Sequence, residues 1–287
     1  LGMSVSAASR MLGVLEHEFK LKLFSRENRR LDLTQDGREF LQRTQHILEG
    51  LERLKDIANE VRSTEDAPLR LVSTLPLAKT IYAPVLALWR QEHPEARSVL
   101  NIETRFDLES KVAAREYNLG ILSLPVENAI VDLEVQPLVA ARHEIAMSPS
   151  HPLAQATTIT PDDLVSLDFV ALKPGQRWRD RLDVLAASKG FKPNIISETS
   201  STVAALELAR RGVGVVLVDR MHVGLEDETQ LVLRPTTPDA WVDYCLVTGA
   251  GRTSRATSDF ANILRKWLQD CSEANVEVAD SLRIVGA

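Results

Sequence analysis

The 287-residue chain is 44% hydrophobic and 26% charged, enough to bury sizeable cores, and its length suggests more than one domain. No apolar run reaches the ~20 residues of a membrane span and no charged, apolar, small-residue leader marks secretion, so the reading is a cytoplasmic protein without a membrane partner. A net charge of −6 argues against a general nucleic-acid binder, and two distant cysteines, Cys245 and Cys271, against a disulfide framework or zinc site.

Near the start, Ala8, Leu12, Leu15 and Phe19 fall at i, i+4, i+7 and i+11, one apolar face of an amphipathic helix. The other face carries Ser6, Ser9 and Arg10 close to the helix start. Side chains there can reach into a major groove, and free amides with the helix dipole favour phosphate. Leu23-Phe24 and Leu31-Asp32-Leu33 then flank a polar tip, Ser25 to Arg30, as in a short β-hairpin. Arg26, Arg29 and Arg30 on such a tip suit phosphate or minor-groove contact. Spacing alone leaves a second reading open, a small helix and hairpin packed onto something else with ordinary surface arginines. The charge distribution bears on the choice. Residues 1–38 hold seven Lys or Arg against five acids, whereas the remainder carries −8, so phosphate would meet the basic end and not the acidic body.

From Thr34 the apolar positions Phe40, Thr44, Ile47, Leu51, Leu54, Ala58 and Val61 alternate steps of four and three, the seam of a coiled coil. The alternative is a single surface helix packed on its own domain. A paired helix would hold two reading heads at a fixed separation over a palindromic site. An acidic, Pro-ended linker, Ser63 to Pro68, follows.

Beyond it, short apolar strands alternate with helices: strand 69–73, helix 79–91, strand 98–103, helix 108–115, strand 119–124, then strands 134–138 and 143–147. This order predicts a mostly parallel sheet with helices on both faces. Ser148 to Pro152 reads as the crossing into a second lobe. That lobe has a short helix from Pro161, strand 169–172, helix 178–189, strand 194–198, helix 202–211 and strand 213–218. At Asp219-Arg220 the chain is expected to return, with strands 231–234 and 241–247 and helix 258–269 in the first lobe.

Ligands bind outside the carboxyl ends of strands in such sheets, where helix N-termini offer amides to anions. That rule selects Ser73 and Thr74, Ser123, Lys173, the run Thr199, Ser200, Ser201 and Thr202, and Asp219 as effector-binding candidates. Four successive hydroxyls exceed what one N-cap requires, although capping with a solvated loop also accounts for them, and Lys173 and Asp219 read equally well as surface charges. Gly212-Val213-Gly214 starts a GxG in the wrong context for a dinucleotide loop. No GxSxG, HExxH or Walker sequence occurs, and the six histidines are scattered. The expectation is no enzyme, no cofactor and no metal site.

The string Ser4-x-x-Ala7-x-Ser9-Arg10, Leu15-Glu16, Leu23-Phe24-x-Arg26, Arg29-Arg30 and Leu33-Thr34-x-x-Gly37 resembles the winged helix-turn-helix of the LysR-type transcriptional regulators. Val5 and Ser6 stand where that family usually has Gln and Pro. The resemblance implies that Leu1-Gly2 lies at the end of the unit's second helix, so the chain is expected to be N-terminally truncated. It implies an α/β protein: a partial winged helix-turn-helix over 1–38, a linker dimerisation helix and hinge over 39–67, and a periplasmic-binding-protein-like effector domain over 68–271. Its lobes would be 68–148 with 220–271, and 149–219, leaving a tail at 272–287. The implied function is ligand-responsive regulation by a homodimer or homotetramer that binds promoter DNA, with Ser6, Ser9 and Arg10 in the groove and Arg26, Arg29 and Arg30 on the backbone. Thr74-Leu75-Pro76, Leu119-Gly120-Ile121, His151-Pro152-Leu153-Ala154, Ile159-Thr160-Pro161-x-Asp163-Leu164, Arg181-Leu182-Asp183 and Ile196-x-Glu198-Thr199 look most like the opine-responsive branch, which implies an amino-acid-derived or carboxylate effector. The rival expectation is a cytoplasmic solute-binding or interaction module without DNA function.

Overall fold

The computed structural model describes residues 5–27, 30–41, 44, 68–126, 132–225 and 230–285. The chain divides into two compact units, Leu1–Ala67 and Pro68–Ala287.

In the first unit, α1 (Val5–Phe19) forms where the apolar spacing places it. Ala8 and Leu12 are half-buried, and Phe19 meets Phe40 at a ring separation of 5.1 Å. The helix stops at Lys20, which takes a left-handed φ of 51°. The hairpin of β1 (Phe24–Glu27) and β2 (Arg30–Leu33) pairs Phe24 with Leu33 and Glu27 with Arg30. Helix and hairpin are tied by Glu16, whose Oε1 accepts the backbone N–H groups of Leu23 at 2.7 Å and Phe24 at 2.8 Å. The Thr34 hydroxyl donates to the Lys22 carbonyl at 2.6 Å and accepts the Gly37 N–H at 2.9 Å, capping a helical stretch over 35–41. At Gly37 a Cβ would sit 2.0 Å from the Leu23 carbonyl oxygen, so this close approach of helix and loop admits only glycine. Of the expected coiled-coil seam, 45–61 lies outside the described residues.

The second unit begins with β3 (Leu69–Ser73). One helical run follows, α2, made of Leu75–Leu77, a π-helical turn Ala78–Tyr82 and Ala83–Glu92. It starts four residues before the expected Lys79, because Pro76 occupies the first turn, where its missing N–H costs nothing. Next come β4 (Ser98–Ile102), α3 (Arg105–Ala113), β5 (Leu119–Ser123) and β6 (Leu133–Arg142). Helix α3 starts three residues before the expected Leu108 because Thr104 caps it through the Asp107 N–H. The second-lobe elements are β7 (Glu144–Met147), α4 (Pro161–Val165), β8 (Asp168–Leu172), α5 (Arg177–Lys189), β9 (Asn194–Thr199), α6 (Thr202–Arg210) and β10 (Val216–Val218). The chain ends with α7 (Arg220–Val223), β11 (Val232–Pro235), β12 (Trp241–Gly249), α8 (Arg255–Ala274), α9 (Val276–Ser281) and β13 (Leu282–Ile284).

The first lobe is a six-stranded sheet in the order β13-β6-β12-β5-β3-β4. It is mixed and not mostly parallel: β3 runs parallel to β4 and β5, but β12 is antiparallel to β5 and β6, and β13 antiparallel to β6. In the second lobe β7 lies between β10 and β11, both antiparallel to it, and β8 pairs in parallel with β9. Val215, just ahead of β10, bonds to Asp168 and Val170 and joins the two groups of strands.

These pairings correct two expected boundaries. The first crossing falls at His143, not at Ser148 to Pro152, because β7 already belongs to the second sheet. The return falls between β11 and β12, not at Asp219-Arg220, because β11 pairs with β7. Helix α7 does reach the first lobe in between, where the Thr80 hydroxyl donates to the Met221 carbonyl at 2.5 Å. The two crossings are bonded to each other, with His143 N–H on the Ala240 carbonyl at 2.7 Å and Thr236 N–H on the His143 carbonyl at 3.4 Å. The segment expected as a tail is folded. Strand β13 adds an edge to the first sheet, and the Ser281 hydroxyl donates to buried Glu144 at 2.8 Å.

One apolar cluster runs through both lobes, including Leu71, Ile81, Tyr82, Trp89 and Phe260 in the first and Phe169, Leu182 and Val218 in the second. Full burial of each such side chain contributes roughly 1.5–3 kcal/mol. Among the described residues no helix is long and apolar enough to cross a membrane, and no group of three or more His, Cys, Asp or Glu could hold a metal ion.

Candidate functional site

On α1, Arg10 is exposed and Ser9 half-buried. Ser6 lies in the first turn of the same helix, and Arg26 and Arg30 lie on the two hairpin strands, but their side chains, and all of Arg29, are outside the described set. Helix and hairpin therefore carry the other five candidates on one small unit.

Of the effector candidates, Ser123 and Asp219 each make contacts across the lobe boundary, and they head two groups. In the first, Ser123 ends β5 and is 8% exposed. Its carbonyl accepts Arg105 Nη2 at 2.5 Å and Arg177 Nη1 at 3.0 Å. Arg105 comes from the first lobe and Arg177 from the first turn of α5 in the second. Both also donate to the Pro125 carbonyl, and Arg177 to that of Leu124 at 2.9 Å. Two guanidiniums from opposite lobes thus converge on three neutral carbonyls. Buried Glu109 stands 3.2 Å from Arg105. Lys173 is exposed and bonded only through its backbone, to the Thr199 carbonyl and Gln176 Oε1. In the hydroxyl run, Thr199 Oγ1 accepts the Ser201 N–H and Ser201 Oγ accepts the Ala204 N–H, capping α6. The capping reading accounts for these two, and the hydroxyls of Ser200 and Thr202 make no hydrogen bond among the described residues. Ser73 is fully buried with its hydroxyl on the Thr74 carbonyl, and Thr74 precedes α2 without capping it through its side chain.

The second group surrounds Asp219, which is fully buried and so is no surface charge. Its Oδ1 accepts the His222 N–H at 3.1 Å and lies 2.9 Å from His222 Nδ1, while its Oδ2 accepts the Tyr244 hydroxyl at 2.6 Å. The Trp178 indole N–H donates to His222 Nε2 at 3.5 Å, which assigns the His222 proton to Nδ1, facing Asp219. Burial alone would raise the Asp219 carboxyl. His222, the Tyr244 hydroxyl and Arg181 together hold it below the usual range. Burial and the adjacent Asp219 push the Tyr244 hydroxyl well above its ordinary value, so it remains a donor. Trp178 is the hub: His143 and His222 meet its ring edge-on at 5.4 and 5.5 Å, and Arg181 stacks over it at 4.6 Å. Burial, then the charge of Arg181, lowers the His143 imidazole to about 4, which keeps it neutral.

Sequence reasoning placed Ser123 and Asp219 at this boundary but missed Arg105, Arg177, Trp178, Arg181, His143, His222 and Tyr244. One signal was available. Helix α5 opens Arg177-Trp178-Arg179-Asp180-Arg181, three cations at the positive end of a helix dipole, where they are disfavoured. Arg179 finds Asp183 and Glu198; Arg177 and Arg181 turn to the lobe boundary. His143, His222 and Tyr244 join only through the tertiary fold and leave no local trace.

Comparison with known proteins agrees with this architecture. Residues 1–38 match the family of bacterial regulatory helix-turn-helix proteins, lysR family, and residues 62–269 match the LysR substrate binding domain. The chain is 28% identical over 222 residues to the transcriptional activator protein LysR of Escherichia coli K12, covering 76% of this chain and 70% of that protein. It is 26% identical over 213 residues to the transcriptional dual regulator GltC of Bacillus subtilis, covering 74% and 71%. Among solved structures, full-length CbnR complexed with its target DNA superposes with a TM-score of 0.67 at 18% identity, covering 92% of this chain and 90% of that one; this likeness concerns the fold. A helix and hairpin that match the lysR-type DNA-binding family, followed by a two-lobed domain that matches its effector-binding partner over most of the chain, place this protein in the LysR family of DNA-binding transcriptional regulators.

Proposed function

We propose that the protein is a cytoplasmic homo-oligomer, a homodimer or homotetramer, that binds promoter DNA and responds to a small amino-acid-derived carboxylate taken between its lobes. The observation that carries the effector class is the set of three arginines, Arg105, Arg177 and Arg181, drawn from both lobes to one boundary. Guanidiniums pair with carboxylates in forked geometry more strongly than with neutral carbonyls. An anion that engages both lobes favours their closed arrangement by its difference in affinity for the two states. Thr74, Ser123, Lys173 and the hydroxyls of Ser200 and Thr202 are assigned to the approach, Ser73, Thr199 and Ser201 support it from behind, and Asp219 acts indirectly, by fixing His222 and Tyr244. The arginine set also favours the opine-like class of effector over an uncharged one. On DNA, Ser6, Ser9 and Arg10 take the groove, and Arg26, Arg29 and Arg30 the backbone.

Fluorescence anisotropy of the chain on the DNA upstream of its own reading frame tests the regulator reading. Affinity should depend on sequence and fall on the order of 10³-fold between about 50 and 200 mM salt. Arg10→Ala should cost about 1–3 kcal/mol on that DNA. Equal affinity for unrelated DNA, or a flat salt response, would favour a solute-binding module instead. Unchanged affinity in Arg10→Ala would contradict the orientation given to α1.

A further inference from the structure

Two polar groups beside Trp178 are left without partners by the contacts described above. Arg181 stacks on the indole at 4.6 Å and makes no hydrogen bond or ion pair with any described residue, although burial is substantial enough to lower its proton affinity. His143 is 9% exposed, and its Nε2 is buried with no hydrogen-bond partner. The backbone that carries the imidazole is bonded to both crossing segments, at Ala240 and Thr236. Buried donors and acceptors are almost always satisfied, and one that is not calls for an explanation, a bound group among them. Both groups adjoin the same ring at the boundary between the lobes, and Asp219 contributes negative potential at each of them.

We propose that Arg181 and His143 form the head-group subsite for a 2-amino carboxylate. Arg181 takes the carboxylate through its planar fork, and the neutral His143 imidazole accepts a hydrogen bond from the adjacent amino group, whose positive charge is favoured by nearby Asp219. A 2-oxo acid offers His143 no donor and gains nothing from Asp219. An amine lacking the carboxylate is repelled by Arg181. Selectivity for both functions on adjacent carbons follows from these two side chains. This inference rests on the interlobe effector reading and deepens it.

The test is a thermal-shift screen of the full chain against the twenty L-amino acids, followed by calorimetry on any that stabilise it. Each such amino acid is compared with its 2-oxo acid and with its decarboxylated amine. At least one amino acid should bind, with both analogues weaker by about tenfold or more. Arg181→Gln should weaken binding at least about tenfold and Arg181→Lys less, because lysine keeps the charge without the fork. Lys189→Gln, at the far end of the same helix, should bind as the unaltered chain does. Stabilisation by none of the twenty, equal binding of the 2-oxo acid, or unchanged binding in Arg181→Gln would overturn the proposal. DNA binding measured on the same Arg181→Gln preparation keeps the readings apart. Retained DNA affinity shows a folded protein with a ligand defect. An unaltered chain that binds the amino acid but no DNA refutes the regulator reading and leaves this one standing.

Discussion

At His143 the physical cost of the site is most concentrated. Its imidazole sits where the chain first crosses between lobes, with a proton affinity lowered from 6.5 to about 4 by burial and by Arg181. As pH falls below 6.5 the unfolded chain takes up this proton and the folded one does not, so folding stability is lost until the folded group titrates near 4. The stability lost over that range comes to about 3 kcal/mol. Urea titrations between pH 7.5 and 4.5 should therefore show a steeper loss of stability in the unaltered chain than in His143→Gln. Parallel curves for the two would contradict the burial assigned to this side chain. His143 also shows where sequence reading stopped. It was one of six histidines with no telling neighbour, since its partners Trp178, Arg181 and Asp219 are 35 or more residues away. Asp219 was selected by the strand-end rule, but its burial depended on Tyr244, which comes from a strand of the other lobe.

Among the elements, helix α1 and the hairpin were legible because their signals are local: apolar residues three and four apart, and apolar strands flanking a polar tip. Less visible was what holds them together. Glu16, part of the motif Leu15-Glu16, accepts two backbone N–H groups at the start of β1. Gly37 was quoted only as part of a motif, whereas its role is steric. Gly37→Ala would push a methyl group into the Leu23 carbonyl, and although alanine is the better helix former by about 1 kcal/mol, displacing backbone should cost about 1–3 kcal/mol. Limited proteolysis and thermal melting of the first unit should show it loosened while the second melts as before. An unchanged or raised melting temperature would mean that helix and loop are not in the contact described. Boundary errors elsewhere have the same origin. Strands β6 and β7 are separated by His143 alone, so the Ser148 to Pro152 turn was the louder signal, and the pairing of β11 with β7 is a long-range fact. The C-terminal strand β13 is only three residues long and is recognisable as a strand only by its pairing with β6.

For the whole molecule, the alternation of strands and helices gave the two-lobed α/β class. Its functional content lies in what the topology brings together. The ends of β5 and β10, the first turns of α5 and the first crossing meet at one boundary, so a ligand bound there touches both lobes and the segments that join them. A linked protein gains nothing from a ligand that binds both arrangements equally. The arginines of opposite lobes, which meet on the carbonyls of Ser123 and Pro125 beside the Arg105–Glu109 ion pair, supply a reason for unequal binding, since an anion between the lobes would compete for both. The most direct measurement is therefore the affinity of the full chain for its promoter DNA with and without a saturating amino acid that binds it, in the unaltered protein and in Arg181→Gln. A coupling of 1–3 kcal/mol, about 5- to 150-fold in DNA affinity, is expected in the unaltered chain and should vanish in Arg181→Gln. Superimposable DNA-binding curves in the unaltered chain, with the amino acid demonstrably bound, would contradict it.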